Sequence, residues 1–400
     1  MDKLLSVSDA LARVLAGASR LDEESAPLAL ARGRTLAADL VARRTQPPVA
    51  VSAMDGFALR AADLAAGPLR IVGESAAGRG YGGALMPGEA VRIFTGAPVP
   101  NGADAILLQE DARVAEDALT ASAPPGPHIR AAGLDFREGA VALTVGTRLG
   151  PAELALAAAM NHAAIAVARR PRVAIIASGD ELVPPGAEPG PSQIISCNNL
   201  AVAAIAEDAG AEIVDLGIFR DDLAELERGV ALAREARADV LVTLGGASVG
   251  DRDLLRPALA RQGMSLDFWK IAMRPGKPLI HGALGDMRIL GLPGNPVAAF
   301  VCALIFLAPL LRALQGDPKA GADLTKLALA GSNLPANKGR RDYMRATLTT
   351  DEIGRLVATP QPLQDSSLLT ELTQSQALLV REPGAPAAAK GDPCRILRLP

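Results

Sequence analysis

From residue 171 onward the sequence repeats a pattern that few folds can satisfy: short, almost wholly apolar runs alternate with segments of helical length. Strands are predicted at 173–177, 212–216 and 240–244, with helices at 199–208 and 223–237 between them. Two further strands, near 270–273 and 288–290, precede a helix that starts at Pro296. Val240-Leu241-Val242-Thr243-Leu244 has no polar side to turn toward water, so a strand built from it must be covered on both faces. Strands joined through helices run parallel, and the expected core is a parallel-sheet α/β domain over 171–316. The apolar run 297–311 falls short of the about 18 residues a membrane-spanning helix needs, and it contains Pro309. It reads as a buried helix.

The flanking segments differ in character. Leu4, Leu5, Leu11, Val14 and Leu15 share one helical face, with Ser8 as a candidate N-cap and Gly17 as a stop, and Pro151 opens an Ala/Leu-rich helical run over 151–168. Residues 1–46 and 138–170 are therefore expected to form a helical N-terminal region (domain I). Between them, 47–137 breaks into short apolar runs punctuated by Gly and Pro, the mark of an inserted β-rich domain (domain II). After a polar linker at 315–323, short alternating runs continue to the C-terminus and predict a small β-barrel domain over 317–400 (domain IV, with 171–316 as domain III). The fold class is thus a multidomain α/β and β protein.

Composition removes several functions. Lys plus Arg is 41 against 44 Asp plus Glu, a net charge of −3, so no global positive field draws in nucleic acid or an anionic membrane. Aromatic residues make up 2%, too few to stack single-stranded bases. Cys197, Cys302 and Cys394 are odd in number and far apart, which fits neither a disulfide framework nor a zinc knuckle and suits a reducing cytoplasm. The N-terminus carries no export pattern. His128, His162 and His281 show no HExxH spacing, the Gly245-Gly246 stretch is not a dinucleotide fingerprint, the chain contains no P-loop, and no base is assigned to Ser178 or Ser248.

In open parallel sheets, ligands bind beyond the carboxyl ends of the strands. The loops expected there carry Ser178-Gly179-Asp180-Glu181, then Asp221-Asp222, then Gly245-Gly246-Ala247-Ser248-Val249-Gly250-Asp251-Arg252-Asp253. Either acidic pair alone is ordinary helix-start chemistry. Together, at neighbouring strand ends, they form the kind of oxygen set that Mg²⁺ takes alongside substrate phosphates. Gly245-Gly246 either brings backbone N–H groups close to an anion or makes a tight turn. Arg274-Pro275-Gly276-Lys277-Pro278 holds two cations on a stiff loop, a positive clamp opposite the acids or a solvated basic turn. Asn295-Pro296 reads as an N-cap and first helical residue, with anion binding at that helix start as the functional reading. For Asp55 before Gly56, the loop at Thr95, and Asp135, residue chemistry alone assigns no role.

Taken in order, Ser52-Ala53-Met54-Asp55-Gly56-Phe57-Ala58, Thr95-Gly96-Ala97-Pro98-Val99-Pro100, Ser178-Gly179-Asp180-Glu181-Leu182, the 245–250 loop with Asp253, Arg274-Pro275-Gly276-Lys277-Pro278 and Leu292-Pro293-Gly294-Asn295-Pro296 resemble the molybdopterin molybdenumtransferases, the MoeA and gephyrin E-domain family. The resemblance covers nearly the whole chain. It implies Mg²⁺-dependent insertion of molybdate into adenylated molybdopterin with release of AMP, by a homodimer whose active site is shared between subunits. An adenylyltransferase and the recipient molybdoenzymes are its implied partners. Matched position by position, the resemblance makes Asp55, Thr95, Asp135 and Glu181 catalytic, with Glu110 beside them. Gly245, Gly246, Ser248, Arg274, Lys277, Pro293, Asn295, Pro296, Arg341 and Ser366 would bind substrate, and Asp221, Asp253 and Glu181 would bind metal. Asp55 or Glu181 would position the attacking species. Arg274 stands where the family usually has Lys, and Ser196-Cys197-Asn198 keeps only the Asn of the family's Asp-Ser-Asn. The rival readings are a molybdopterin adenylyltransferase, which shares the α/β domain, and a non-catalytic scaffold of the same fold.

Overall fold

Residues 4–246 and 254–400 are described by a computed structural model. Chain contacts divide it into two units: one holds the chain up to Glu24, Gly33–Ala37 and Ala166–Pro400, the other Ser25–Arg32 and Ala38–Ile165.

The first unit is built on a six-stranded sheet in the spatial order Glu212–Phe219, Arg172–Ser178, Val240–Leu244, Met287–Leu292, Pro278–Leu284, Ser265–Lys270. The first four strands are parallel, with Val173 opposite both Ile213 and Val240, and Val240 opposite Arg288. The parallel core is as expected, and one strand, Pro278–Leu284, runs antiparallel to both of its neighbours. The reason is local. Gly285, at φ +61°, starts a two-residue turn between Leu284 and Met287, so the chain folds back as a hairpin without crossing over a helix.

Both faces are covered, as the apolar strands require. Val173, Ile175, Val240 and Val242 pack against the helices Asn198–Asp208 and Pro296–Leu314, while Ala174, Ile176, Leu241 and Ile289 pack against Leu223–Glu235 and Leu255–Arg261. The helix Pro296–Leu314 has 19 residues and is apolar enough to cross a membrane. Here its Val301, Ala303, Phe306, Leu307, Leu310 and Leu311 are fully buried in the core. A π-turn over Ala303–Leu307 precedes Pro309, which has no N–H to donate, and the helix continues past it.

Five strands after the linker close into a barrel: Lys326–Ala330, Arg341–Thr350, Leu356–Pro360, Ala377–Arg381 and Pro393–Arg398. Closure follows because Arg341–Thr350 pairs with Leu356–Pro360 on one side and with Ala377–Arg381 on the other. Alanines at 328, 330, 346, 358 and 377 fill the narrow interior. The short strand Met273–Arg274 pairs with Arg341 and Asp342 and ties the α/β domain to the barrel.

The N-terminal helix is shorter than its apolar spacing implied, Val7–Leu15, and Ser6 caps it rather than Ser8, accepting the Asp9 N–H at 3.0 Å. The second unit carries a six-stranded sheet with Gly56–Leu59, buried throughout, between Ala105–Leu108 and Glu89–Ile93. The helix expected over 151–168 ends at Ala159. Asn161 turns the chain at φ +73°, and the alternating Ala164–Ala168 forms a strand.

Candidate active site

The carboxyl ends of the parallel strands open into a cleft of about 430 Å³ lined by Ser178, Glu181, Cys197, Asn198, Asp221, Gly245, Gly246, Pro293, Asn295 and Pro296, among others. Gly245 ends the central strand at φ +90°, and a Cβ there would lie 2.5 Å from the Ser178 carbonyl oxygen; Gly246 follows at φ +61°. Both positions demand glycine, and the turn they make brings backbone to the floor of the cleft.

The acids separate by role. Asp222 is the N-cap of Leu223–Glu235 and accepts from the Ala224 and Glu225 N–H groups at 2.9 and 3.1 Å. Asp221 is left free to face the cleft. Burial, then the charges of Asp180 and Glu181, push its carboxyl above the ordinary range. None of Asp180, Glu181 and Asp221 forms an ion pair among the described residues. Asp180 and Glu181 act on Asp221 through their charges, but among the described residues no three such side chains gather closely enough to form a metal cluster.

At the helix start, Asn295 has the extended backbone of an N-cap, but its side chain does not cap. Its Nδ2 donates to the Ser366 Oγ at 3.0 Å, and the Val297 N–H donates to the Ser366 carbonyl at 3.0 Å. The barrel domain thus satisfies a donor that Asn295 was expected to satisfy, and Ser366 arrives at the cleft edge. On the other side, Asn198 Nδ2 donates to the Gly294 carbonyl at 2.7 Å and fixes the loop before Asn295.

The expected two-cation clamp is divided. The Arg274 guanidinium pairs with the buried Asp342 carboxylate of the barrel, while Lys277 is exposed one residue before Pro278, which lines the cleft. Arg341 lies elsewhere again. It pairs with Glu382 at 2.8 Å and lines a separate pocket with Tyr343 and Leu304. Ser248 and Asp253 fall outside the described residues.

In the second unit, one Asp55 oxygen accepts both the Thr95 N–H at 2.7 Å and the Thr95 Oγ–H at 2.8 Å. These two donors hold the carboxyl below the usual carboxylate range, with Arg92 adding a smaller push in the same direction. Asp135 is exposed, and its N–H donates to the Gln46 carbonyl at 3.0 Å. Glu110 sits in a short helical turn, Gln109–Asp111.

Three family descriptions cover the chain in order: the MoeA N-terminal region (domain I and II) matches 5–161, the probable molybdopterin binding domain 174–313, and the MoeA C-terminal region (domain IV) 328–399. A molybdopterin molybdenumtransferase of Haemophilus influenzae is 35% identical over 356 residues, 88% of each chain. The chain belongs to the molybdopterin molybdenumtransferase (MoeA) family. Another member, from Bacillus subtilis, is 34% identical over 412 residues, covering 98% of this chain and 94% of its own. Among solved structures, a MoeA protein from Pyrococcus horikoshii OT3 superposes with a TM-score of 0.83 at 25% identity, over 99% of this chain and 100% of that one. Sequence reasoning gave no role to one residue of this MoeA-family cleft, Ser178. Its hydroxyl is buried without a partner at the cleft wall, and a serine just before Gly-Asp-Glu at a strand end was the signal available.

Proposed function

We propose that this enzyme of molybdenum cofactor biosynthesis inserts molybdate into adenylated molybdopterin and releases AMP, with Mg²⁺ as cofactor. The observation that carries the reading is a cleft in which Glu181 and Asp221, neither in an ion pair among the described residues, stand beside a glycine turn and a helix start. Two cleft carboxylates at Glu181 and Asp221 fit Mg²⁺, which commonly takes one or two carboxylates and completes its shell with water and phosphate oxygens. When bound there, the ion supplies positive charge against the phosphoanhydride of the substrate. The chain's own groups do the positioning. The Gly245-Gly246 turn lets phosphate approach the backbone, the Asn295 and Ser366 side chains border the oxyanion, and Lys277 adds a cation near Pro278. Asp55, kept ionised by Thr95, or Glu181 orients the attacking water or molybdate oxygen. We further propose a homodimer in which the Asp55–Thr95 pair of one subunit serves the cleft of the other.

The direct test supplies adenylated molybdopterin, molybdate and Mg²⁺ and measures AMP together with pterin-bound molybdenum. Stoichiometric appearance of both, abolished by a chelator and restored by Mg²⁺, is the expected result. Adenylation of molybdopterin from ATP without molybdate supports the adenylyltransferase reading instead, and an inactive protein the scaffold.

The cation site has its own test. Asp221→Asn removes one of three crowded charges, so the metal-free variant is expected to melt roughly 1–2 °C above the wild type, the modest size reflecting an exposed position. Mg²⁺ is expected to raise the wild-type Tm and to leave Asp221→Asn nearly unmoved. Equal Mg²⁺ stabilisation of both proteins in a thermal scan removes Asp221 from the cation site.

A further inference from the structure

On the outer face of the barrel strand Arg341–Thr350, opposite the interior Ala346, Arg345 is only 1% exposed, the bulkiest of the fully buried side chains among the described residues. It forms no ion pair among the described residues, and burial pulls its pKa below the ordinary guanidinium value. Burying a guanidinium without a hydrogen-bonded carboxylate is costly, and the nearby charges of Glu371 and Asp365 together with bonds to backbone carbonyls offset part of that cost. Its acceptors all belong to one loop. Nη1 donates to the carbonyls of Asp365 at 2.8 Å and Leu368 at 3.1 Å, and Nη2 to that of Leu363 at 2.9 Å.

The backbone of Arg345 engages the same loop. Its N–H donates to Gln364 Oε1 at 3.0 Å, and its carbonyl accepts from the Gln361 N–H at 2.8 Å and from Gln364 Nε2 at 2.9 Å. Six hydrogen bonds therefore run from one barrel residue to the 361–368 loop. The middle of that loop is Ser366, whose hydroxyl meets Asn295 and whose carbonyl meets the Val297 N–H. An apolar side chain would fill the space between strand and loop at lower desolvation cost. A planar fork is needed to hold three carbonyls in a fixed arc.

We infer that Arg345 is a positioning residue for the reaction: from the outer face of the barrel it shapes the 361–368 loop so that Ser366 completes the helix start at the cleft. The role in turnover rests on the reading under Proposed function; the structural coupling does not. Arg345 touches no cleft group itself and acts through Ser366.

The test uses the full chain with Arg345→Lys and Arg345→Met, each checked for folding by circular dichroism and Tm. Amide hydrogen exchange is the readout independent of activity. In either folded variant the Val297 amide is expected to exchange at least about tenfold faster, while amides of the strands Leu356–Pro360 and Pro393–Arg398 keep wild-type protection. Unchanged Val297 exchange in a folded variant overturns the inference. In turnover, Arg345→Lys is expected to raise KM for adenylated molybdopterin roughly tenfold with kcat within about twofold. Combined with Ser366→Ala, it is expected to add less than its own single-variant loss, because both variants disturb the Ser366 contact with Asn295. Multiplying losses point to general destabilisation and also overturn it. If the wild type releases no AMP, the functional reading fails while the exchange experiment still decides the role of Arg345.

Discussion

Asp55→Asn leaves the protein folded and lowers AMP release by about 10²–10³-fold, the size seen when one preorganised electrostatic group is removed from a reacting centre. The folded state survives because Asp55 is partly exposed and its amide replacement can still accept from the Thr95 N–H and hydroxyl with its Oδ1. What disappears is the charge. Those two donors hold the carboxylate ionised well below neutral pH, and no hydrogen-bonding change in the amide replaces a negative end aimed at a cation or a water proton. Steady-state AMP release, with Tm as the control for folding, measures the effect. Mixing Asp55→Asn with Asp221→Asn subunits extends the test to the shared site. If the Asp55 of one subunit serves the cleft of its partner, half of the sites in a mixed dimer are intact, and random exchange recovers roughly a quarter of wild-type activity. No recovery after verified subunit exchange places both residues in the same subunit's site, or outside it.

Gly245→Ala has the largest expected cost to stability. At φ +90° an alanine pays for a left-handed backbone, and its Cβ would stand 2.5 Å from the Ser178 carbonyl oxygen. Neither wall can retreat freely. Ser178 ends a strand paired on both sides, and the Gly245 N–H donates to the Leu292 carbonyl at 3.3 Å. Strain and clash together come to about 3 kcal/mol, which lowers Tm by roughly 6–12 °C. Gly139→Ala is the matched control: the same sign of φ, +84°, with no atom within 4 Å of the added Cβ, and an expected cost of about 1 kcal/mol. Thermal denaturation compares the two. Equal shifts show that the close approach at Gly245 relaxes at little cost.

Much of the cleft was legible in the sequence because its determinants are local. The acidic, glycine and Asn-Pro segments each follow an apolar strand, and a strand buried on both faces leaves only one end for them to gather at. Asp221 and Asp222 illustrate the limit. They are identical in type and adjacent, yet one caps a helix and the other faces the cleft, a division set by which backbone N–H groups lie within reach. Arg274 illustrates another. Its charge and stiff loop read as half of an anion clamp, but Asp342 of the barrel reaches the guanidinium.

The sequence alone determined the alternation of strand and helix, the positions that accept only glycine, and the gathering of acids at one sheet edge, because periodicity and backbone conformation act over a few residues. Only the tertiary structure decided that the strand Pro278–Leu284 runs against its neighbours, that Asn295 is met by Ser366 71 positions later, and that Arg345 shapes the loop carrying it. A side chain such as Asn295 or Arg274 has several chemically adequate partners, and the choice among them depends on which distant segment the folded chain brings within hydrogen-bonding distance.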